Sequence, residues 1–204
     1  MSDRAAPHLP EFYVLRHGET EWNRLGRFQG WSDSPLTEKG IAQAEVLGRL
    51  LASRGVTAAT HRVIASTAGR ARATADRVFP GSAHATDEDL REIGMGDWTG
   101  RSRPDLERAG LASDQMDLIA FYAAVPGGET FDELWARAGR VLARLDRPSV
   151  LVTHGIMSRA LRARTLGLGI PGIETVQGGQ GVVYRVAEGR MEYLAPDGVP
   201  VGGT

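Results

Sequence analysis

Two of the five histidines stand where a strand-like run breaks into a turn. His17 follows Glu11-Phe12-Tyr13-Val14-Leu15 and Arg16 and precedes Gly18, and His154 follows Ser149 to Thr153 and precedes Gly155. An imidazole at such a corner can be a nucleophile, a proton carrier or a satisfied structural donor, and residue type alone does not choose among them. Arg70 opens an apparent helix, where a guanidinium fork coincides with the positive end of the helix dipole. Glu92 lies in an irregular Gly-rich stretch. The chain has no Cys, so a thiolate nucleophile, thiolate metal sites and disulfides are excluded.

The elements that must position these groups follow from periodicity and punctuation. Strands are expected at 11–15, 61–65, near 83–86 and at 149–153, with a hairpin of strands 181–187 and 190–194 around Glu188-Gly189. Helices are expected over 37–54, N-capped by Thr37 and stopped by Gly55, over 68–79 before Pro80-Gly81, over 130–145 and over 156–166. In the third of these, Phe131, Leu134, Trp135, Ala138, Val141, Leu142 and Leu145 form one stripe, and Thr130 with Glu133 has capping-box spacing. Residues 87–128 are irregular, with short helices around 103–109 and 114–124, and read as a lid-like insertion in a single domain spanning 1–204. Alternating strands and helices predict a three-layer α/β/α sandwich with a mostly parallel sheet, whose ligands bind beyond the carboxyl ends of the strands. Both histidines sit at that end, 137 positions apart (154 − 17).

Composition narrows the function classes. Hydrophobic residues make up 42% and charged residues 24% of 204 residues, the range of an ordinary globular chain. The net charge is −1, with no basic tract to follow a nucleic-acid backbone, so nucleic acid is not an expected partner. No apolar run reaches bilayer length and Met1 to Pro10 has no signal-peptide core, so no membrane association and a cytoplasmic location are expected. Lys39 is the only lysine, so each Arg has to be judged by its context.

Arg16-His17-Gly18-Glu19-Thr20-Glu21-Trp22-Asn23, continued by Gly26-Arg27-Phe28-Gln29-Gly30 and by Asp33-Ser34-Pro35-Leu36-Thr37-Glu38-Lys39-Gly40, strongly resembles the histidine phosphatase superfamily, which includes the cofactor-dependent phosphoglycerate mutases. Three later segments resemble the family's motifs in order. These are Ser66 to Ala75 around Arg70, Leu90 to Gly100 around Glu92, and Val152-Thr153-His154-Gly155. Thr67-Ala68 and Ile156 depart from residues common among relatives without removing a charged group.

The resemblance implies a phosphoglycerate mutase-like fold, with His17 as the nucleophile that carries the phosphoryl group. It implies that Arg16, Arg70 and His154 surround the transferring oxygens, and that Glu92 protonates the leaving alkoxide and later activates water. Asn23, Gln29 and Gly155 would line the phosphate pocket, with no metal and no cofactor. The lid residues Met95, Arg101, Arg103, Met116, Phe121 and Tyr122 would select the substrate.

Other features have plainer readings. His8, His61 and His84 match no motif, the four tryptophans read as packing residues, and Pro126-Gly127-Gly128-Glu129-Thr130 lacks the Walker lysine and reads as the turn that starts the long helix. The expected activity is hydrolysis of small phosphomonoesters. The alternatives are a phosphoglycerate mutase, disfavoured by the short span from Gly100 to Pro126, and a non-catalytic phospho-ligand binding module. The expected partner is a small phosphorylated substrate, and the oligomeric state, a homodimer included, is left open.

Overall fold

The computed structural model describes residues 9–196, so His8 lies outside the described residues. Six strands form one sheet in the order β3-β2-β4-β1-β5-β6, where β1 is Phe12–Arg16, β2 Arg62–Ser66, β3 Ala85–Asp87, β4 Ser149–Thr153, β5 Val183–Ala187 and β6 Arg190–Leu194. The first four run parallel, and β5 pairs antiparallel with both β1 and β6. Glu188 and Gly189 both have positive φ (52° and 69°), the conformation of a tight hairpin turn, at the expected place.

Alternation along the strands divides the core into two layers. Phe12, Val14, Ile64 and Leu151 pack against Leu134, Ala138 and Val141 of α6 (Phe131–Ala143) and Met157, Ala160 and Leu161 of α7 (Gly155–Thr165). Tyr13, Leu15, Val63, Ala65, Val150 and Val152 face the other way, onto α2 (Glu38–Ser53) and α3 (Gly69–Val78). The chain is therefore the α/β/α sandwich that the sequence predicts. Two short helices were not anticipated, α1 (Glu21–Arg24) and α8 (Gly172–Thr175).

Residues 87–128 hold two 3-10 turns, at Glu88–Leu90 and Gly96–Trp98, together with α4 (Arg103–Arg108) and α5 (Leu118–Ala123). Met95, Trp98, Leu106, Phe121 and Val125 form a small core of their own, against which Phe28, Met116 and Tyr122 pack. No helix among the described residues is long and apolar enough to cross a membrane.

Candidate active site

The β1–β4 register places the two histidines. Phe12 faces Ser149 and Arg16 faces Thr153, so every residue of β1 lies beside the residue 137 positions later (149 − 12). That is the separation of His17 and His154. One residue past the ladder their rings lie 5.2 Å apart, and the His17 N–H donates to the Thr153 carbonyl at 2.9 Å.

The tautomer of His17 is fixed by its neighbours. Nδ1 lies 2.8 Å from the Gly18 carbonyl, which can only accept, so Nδ1 carries the proton and Nε2 bears the lone pair. Arg70 Nε donates to that Nε2 at 3.2 Å. Burial, then the Arg16 and Arg70 cations, hold the His17 pKa well below its ordinary value, against a weaker opposing effect of the Gly18 hydrogen bond. His17 is thus a buried neutral imidazole with its free nitrogen facing a guanidinium.

Arg70 is held as firmly as the ring it faces. Its Nη1 donates to the Ser32 carbonyl (2.6 Å) and to Asp33 Oδ1 (3.0 Å), and its Nη2 donates to the Gly30 carbonyl (2.9 Å). Asp33 also accepts the Arg70 backbone N–H, capping α3 from 37 residues away. Gly69 permits this, since a Cβ there would overlap the Asp33 carboxylate. Ala68, one of the departures from the family pattern, is the local N-cap and supplies no side-chain cap of its own.

The opposite wall repeats this device. α7 begins at His154, again without a local side-chain cap, and Glu92 takes that place from the 89–94 segment. Glu92 Oε1 accepts the N–H groups of Ile93, Ile156 and Met157, each at 3.1 Å, whereas Oε2 accepts only Ile156 at 3.2 Å. Because Ile156 contributes its backbone N–H here and its side chain to the core, its difference from a common Gly leaves the site's hydrogen bonds intact. Thr153 Oγ1 anchors the same segment by donating to the Leu90 carbonyl at 2.6 Å.

His154 is fully buried. Its Nε2 lies 2.8 Å from Ser66 Oγ, and burial followed by the Arg70 charge lowers its pKa well below the ordinary value. Three buried side-chain polar atoms have no partner among the described residues, and two of them, Arg16 Nε and His154 Nδ1, belong to this site. Such atoms are costly unless a ligand meets them. A cavity of about 420 Å³ opens on the Arg16 and Glu92 side of the site, lined also by Gly155, Tyr122, Arg159 and Gln180 among others; the two histidines and Arg70 are not in its lining. Larger cavities of about 700 and 770 Å³ lie elsewhere and include neither Arg16 nor Glu92.

The other predicted site residues divide. Gly155 lies between the charges, its Cβ position 3.5 Å from Glu92 Oε2 and 3.7 Å from Arg16 Nη1. Asn23 Oδ1 is occupied by the Thr20 N–H and by Gln180 Nε2. The Gln29 amide donates one Nε2–H to Thr20 Oγ1 and accepts from Ser34 Oγ, bracing the loop.

Of the six expected substrate selectors, Tyr122 lines the cavity beside Arg16 and Glu92, and burial and then the Glu92 charge raise its pKa, keeping the phenol protonated. Met95 and Phe121 instead fill the small core of the insertion, and Arg103 pairs with Glu107 and stacks on Phe121. Trp31 is 54% exposed, a correction to its reading as a packing residue. Pro126 to Thr130 leads into α6, as expected, with Thr130 as its N-cap, and Glu129 also accepts the Gly94 N–H. His61 and His84 lie far from this chemistry, beside Glu11 and Asp76 respectively.

Sequence reasoning missed Asp33 and Ser66 as supports, and Gln180 and Arg159 as lining residues. Gln180 Nε2 donates to the His17 carbonyl and to Asn23. It lies in a Gly-rich loop with no motif, so only the strand order reveals that β5, next in sequence, returns beside β1.

Comparison with known proteins agrees with this geometry. The profile of the histidine phosphatase superfamily (branch 1) matches residues 12–192. A curated relative named "Probable phosphoglycerate mutase GpmB", from Salmonella newport (strain SL254), is 37% identical over 171 residues, covering 78% of this chain and 75% of the relative. The crystal structure of the alpha-ribazole phosphatase from Shigella flexneri superposes with a TM-score of 0.75 at 27% identity, covering 95% of this chain and 100% of that one. A mycobacterial glucosyl-3-phosphoglycerate phosphatase in complex with VO3 gives a TM-score of 0.77 at 27% identity, covering 91% and 98%. With the profile matched along nearly the whole described length, the chain belongs to the histidine phosphatase superfamily.

Proposed function

We propose that this protein hydrolyses small phosphomonoesters through a phosphohistidine on His17. The observation that carries this reading is the His17 Nε2 lone pair, held toward Arg70 with the His154 ring 5.2 Å away and the Arg16 charge acting on it. In the first step Nε2 attacks phosphorus and the ester P–O bond breaks, while Glu92 gives its proton to the leaving alkoxide. Three N–H groups engage Oε1 and one engages Oε2, so Oε2, which faces Gly155 and the Arg16 side, is the oxygen with room to pass the proton. In the second step water attacks the phosphohistidine, Glu92 takes a proton from it, and phosphate leaves with His17 neutral again. Arg16, Arg70 and His154 balance the oxygen charge that a metal balances in other phosphoryl-transfer enzymes.

Two structural neighbours are named phosphatases, which supports hydrolysis, and the 37% identical relatives named as mutases favour a second reading, isomerisation of phosphoglycerate. The short insertion, with its own small core, supports the first, because a mutase must keep water from its phosphohistidine.

One experiment separates them. Rapid quenching with labelled substrate in EDTA should trap label on His17 that is stable to alkali, lost in acid and absent from His17→Ala. Free phosphate should then appear with every turnover and without a bisphosphorylated primer. If 3-phosphoglycerate isomerises ten-fold faster than phosphate is released, about 1.4 kcal/mol between the competing barriers, hydrolysis is the wrong assignment. Loss of all labelling in EDTA would overturn the metal-free mechanism.

A further inference from the structure

The segment that carries Glu92 belongs to no strand or helix from Arg91 to Met95, yet its carboxyl must be placed to a fraction of an ångström for proton transfer. Its hold comes from below. Arg137, on α6, uses every N–H of its guanidinium. Nε and Nη2 donate to the two Glu129 carboxylate oxygens (2.6 and 2.7 Å). Nη1 donates to the Asp89 and Arg91 carbonyls (2.7 and 3.0 Å), and Nη2 donates again to the Glu92 carbonyl (3.3 Å). Glu129 in turn accepts the Gly94 N–H at 3.2 Å. Both side chains are largely buried, at 12% and 6% exposure. From outside, Trp31 Nε1 donates to the same Glu92 carbonyl at 2.9 Å while Arg91 stacks on its ring, which accounts for a half-exposed tryptophan at this place.

We propose that Arg137 is a positioning residue for the reaction, fixing the backbone on both sides of Glu92 so that its carboxyl meets the leaving oxygen, with Trp31 as a weaker second support. This rests on Glu92 being the proton donor. A buried Arg–Glu pair could serve stability alone, but stability needs only the pair. Three of the five guanidinium bonds instead run to carbonyls within four residues, the last of them on Glu92 itself. A lysine would preserve the charge opposite Glu129 and lose the fork, because an ammonium has three donors and no planar geometry.

The test compares glycerol phosphate, whose alkoxide needs the proton, with nitrophenyl phosphate, whose phenolate does not. Arg137→Lys should lower kcat/KM for glycerol phosphate by roughly 10²-fold, the scale of a 1 Å misplacement, and for nitrophenyl phosphate by less than about three-fold. Trp31→Phe, a change at a half-exposed site that leaves the fold intact, should show the same selectivity at about five-fold. Glu92→Gln is the control for the underlying reading. If Glu92→Gln is selective and both other variants lose equally on the two substrates, or lose nothing, the positioning role is wrong while the proton-donor role stands. If Glu92→Gln itself loses equally on both, the proton-donor role falls and this proposal falls with it. Should Arg137→Lys fail to fold, the Trp31→Phe ratio decides.

Discussion

The carboxyl edge of the sheet and the 87–128 insertion are built in opposite ways. In the 87–128 segment the helix ends are closed mostly from within: Ser102 and Asp105 form a capping box for α4, and Asp117 caps α5 through the Ala120 N–H, with Glu174 accepting only the Ile119 N–H from outside. Its small core is drawn largely from within, with Phe28 the main outsider. At the sheet edge neither α3 nor α7 has a local side-chain cap, and the missing acceptors come from Asp33 and Glu92, 37 and 64 residues distant in sequence. A helix end completed from a distance leaves a carboxylate and backbone donors facing one crevice. A helix end completed by its own cap residue brings no distant carboxylate to a shared crevice. Substitutions at the edge should therefore change chemistry, and substitutions in the insertion should change substrate fit.

The largest expected effect is at Arg70. Arg70→Lys keeps a cation but cannot reach Gly30, Ser32, Asp33 and His17 together, so kcat should fall by about 10²–10³-fold, the cost of losing one preorganised donor to a developing oxyanion. Pre-steady-state labelling would show the phosphohistidine forming slowly; activity within five-fold of the parent would mean the fork is not used.

A smaller effect on turnover is expected in the insertion. Phe121 is buried against Phe28, Trp98 and Tyr122, so Phe121→Ala should cost about 3–5 kcal/mol of local packing and displace Tyr122 at the cavity wall. KM should rise by roughly ten-fold while kcat stays within about three-fold. A collapse of kcat with KM unchanged would erase the contrast between the two regions.

The smallest effect concerns acid. His17 and His154 both have pKa values held below the ordinary one, first by burial and next by neighbouring Arg charge. Above about pH 6.5 folded and unfolded chains both carry neutral imidazoles. Below it the unfolded chain takes up protons that the folded site refuses, so stability falls as pH falls, by at most about 1.4 kcal/mol per pH unit for each histidine. Between about pH 6.5 and 5.5, denaturant titrations should show this slope, and His154→Asn should halve it. An unchanged slope in that variant would mean His154 titrates freely in the folded protein.

The same division explains what was legible in the sequence. The strands and long helices follow from local alternation and capping, and the 137-residue spacing of the histidines proved to be the β1–β4 register itself. His17, Glu92, Arg70 and Arg16 were named because each lies in a contiguous motif. Asp33 and Ser66 lie inside matched motifs, but their contacts with Arg70 and His154 form only across the fold, and Gln180 lies in no motif at all. Gln29 is expected in the phosphate pocket from the resemblance, and what no sequence shows is that its amide also braces the loop through Thr20 and Ser34. The insertion's apolar and cationic side chains looked like selectors because sequence shows type and not facing; Phe121 turns inward while its neighbour Tyr122 reaches the cavity.

The sheet order also bears on synthesis. β1 leaves the ribosome first and ends between β4 and β5, both made after residue 148. At about 5–20 residues per second, the 137 residues from His17 to His154 take roughly 7–27 s to add. Through that interval Phe12-Tyr13-Val14-Leu15 has neither of its neighbours and exposes two unpaired edges on an apolar strand, the kind of segment that pairs with other chains. A nascent chain released before about residue 150 cannot close its sheet around β1, so the earliest segment of the catalytic site is also the one most in need of protection while the protein is being made.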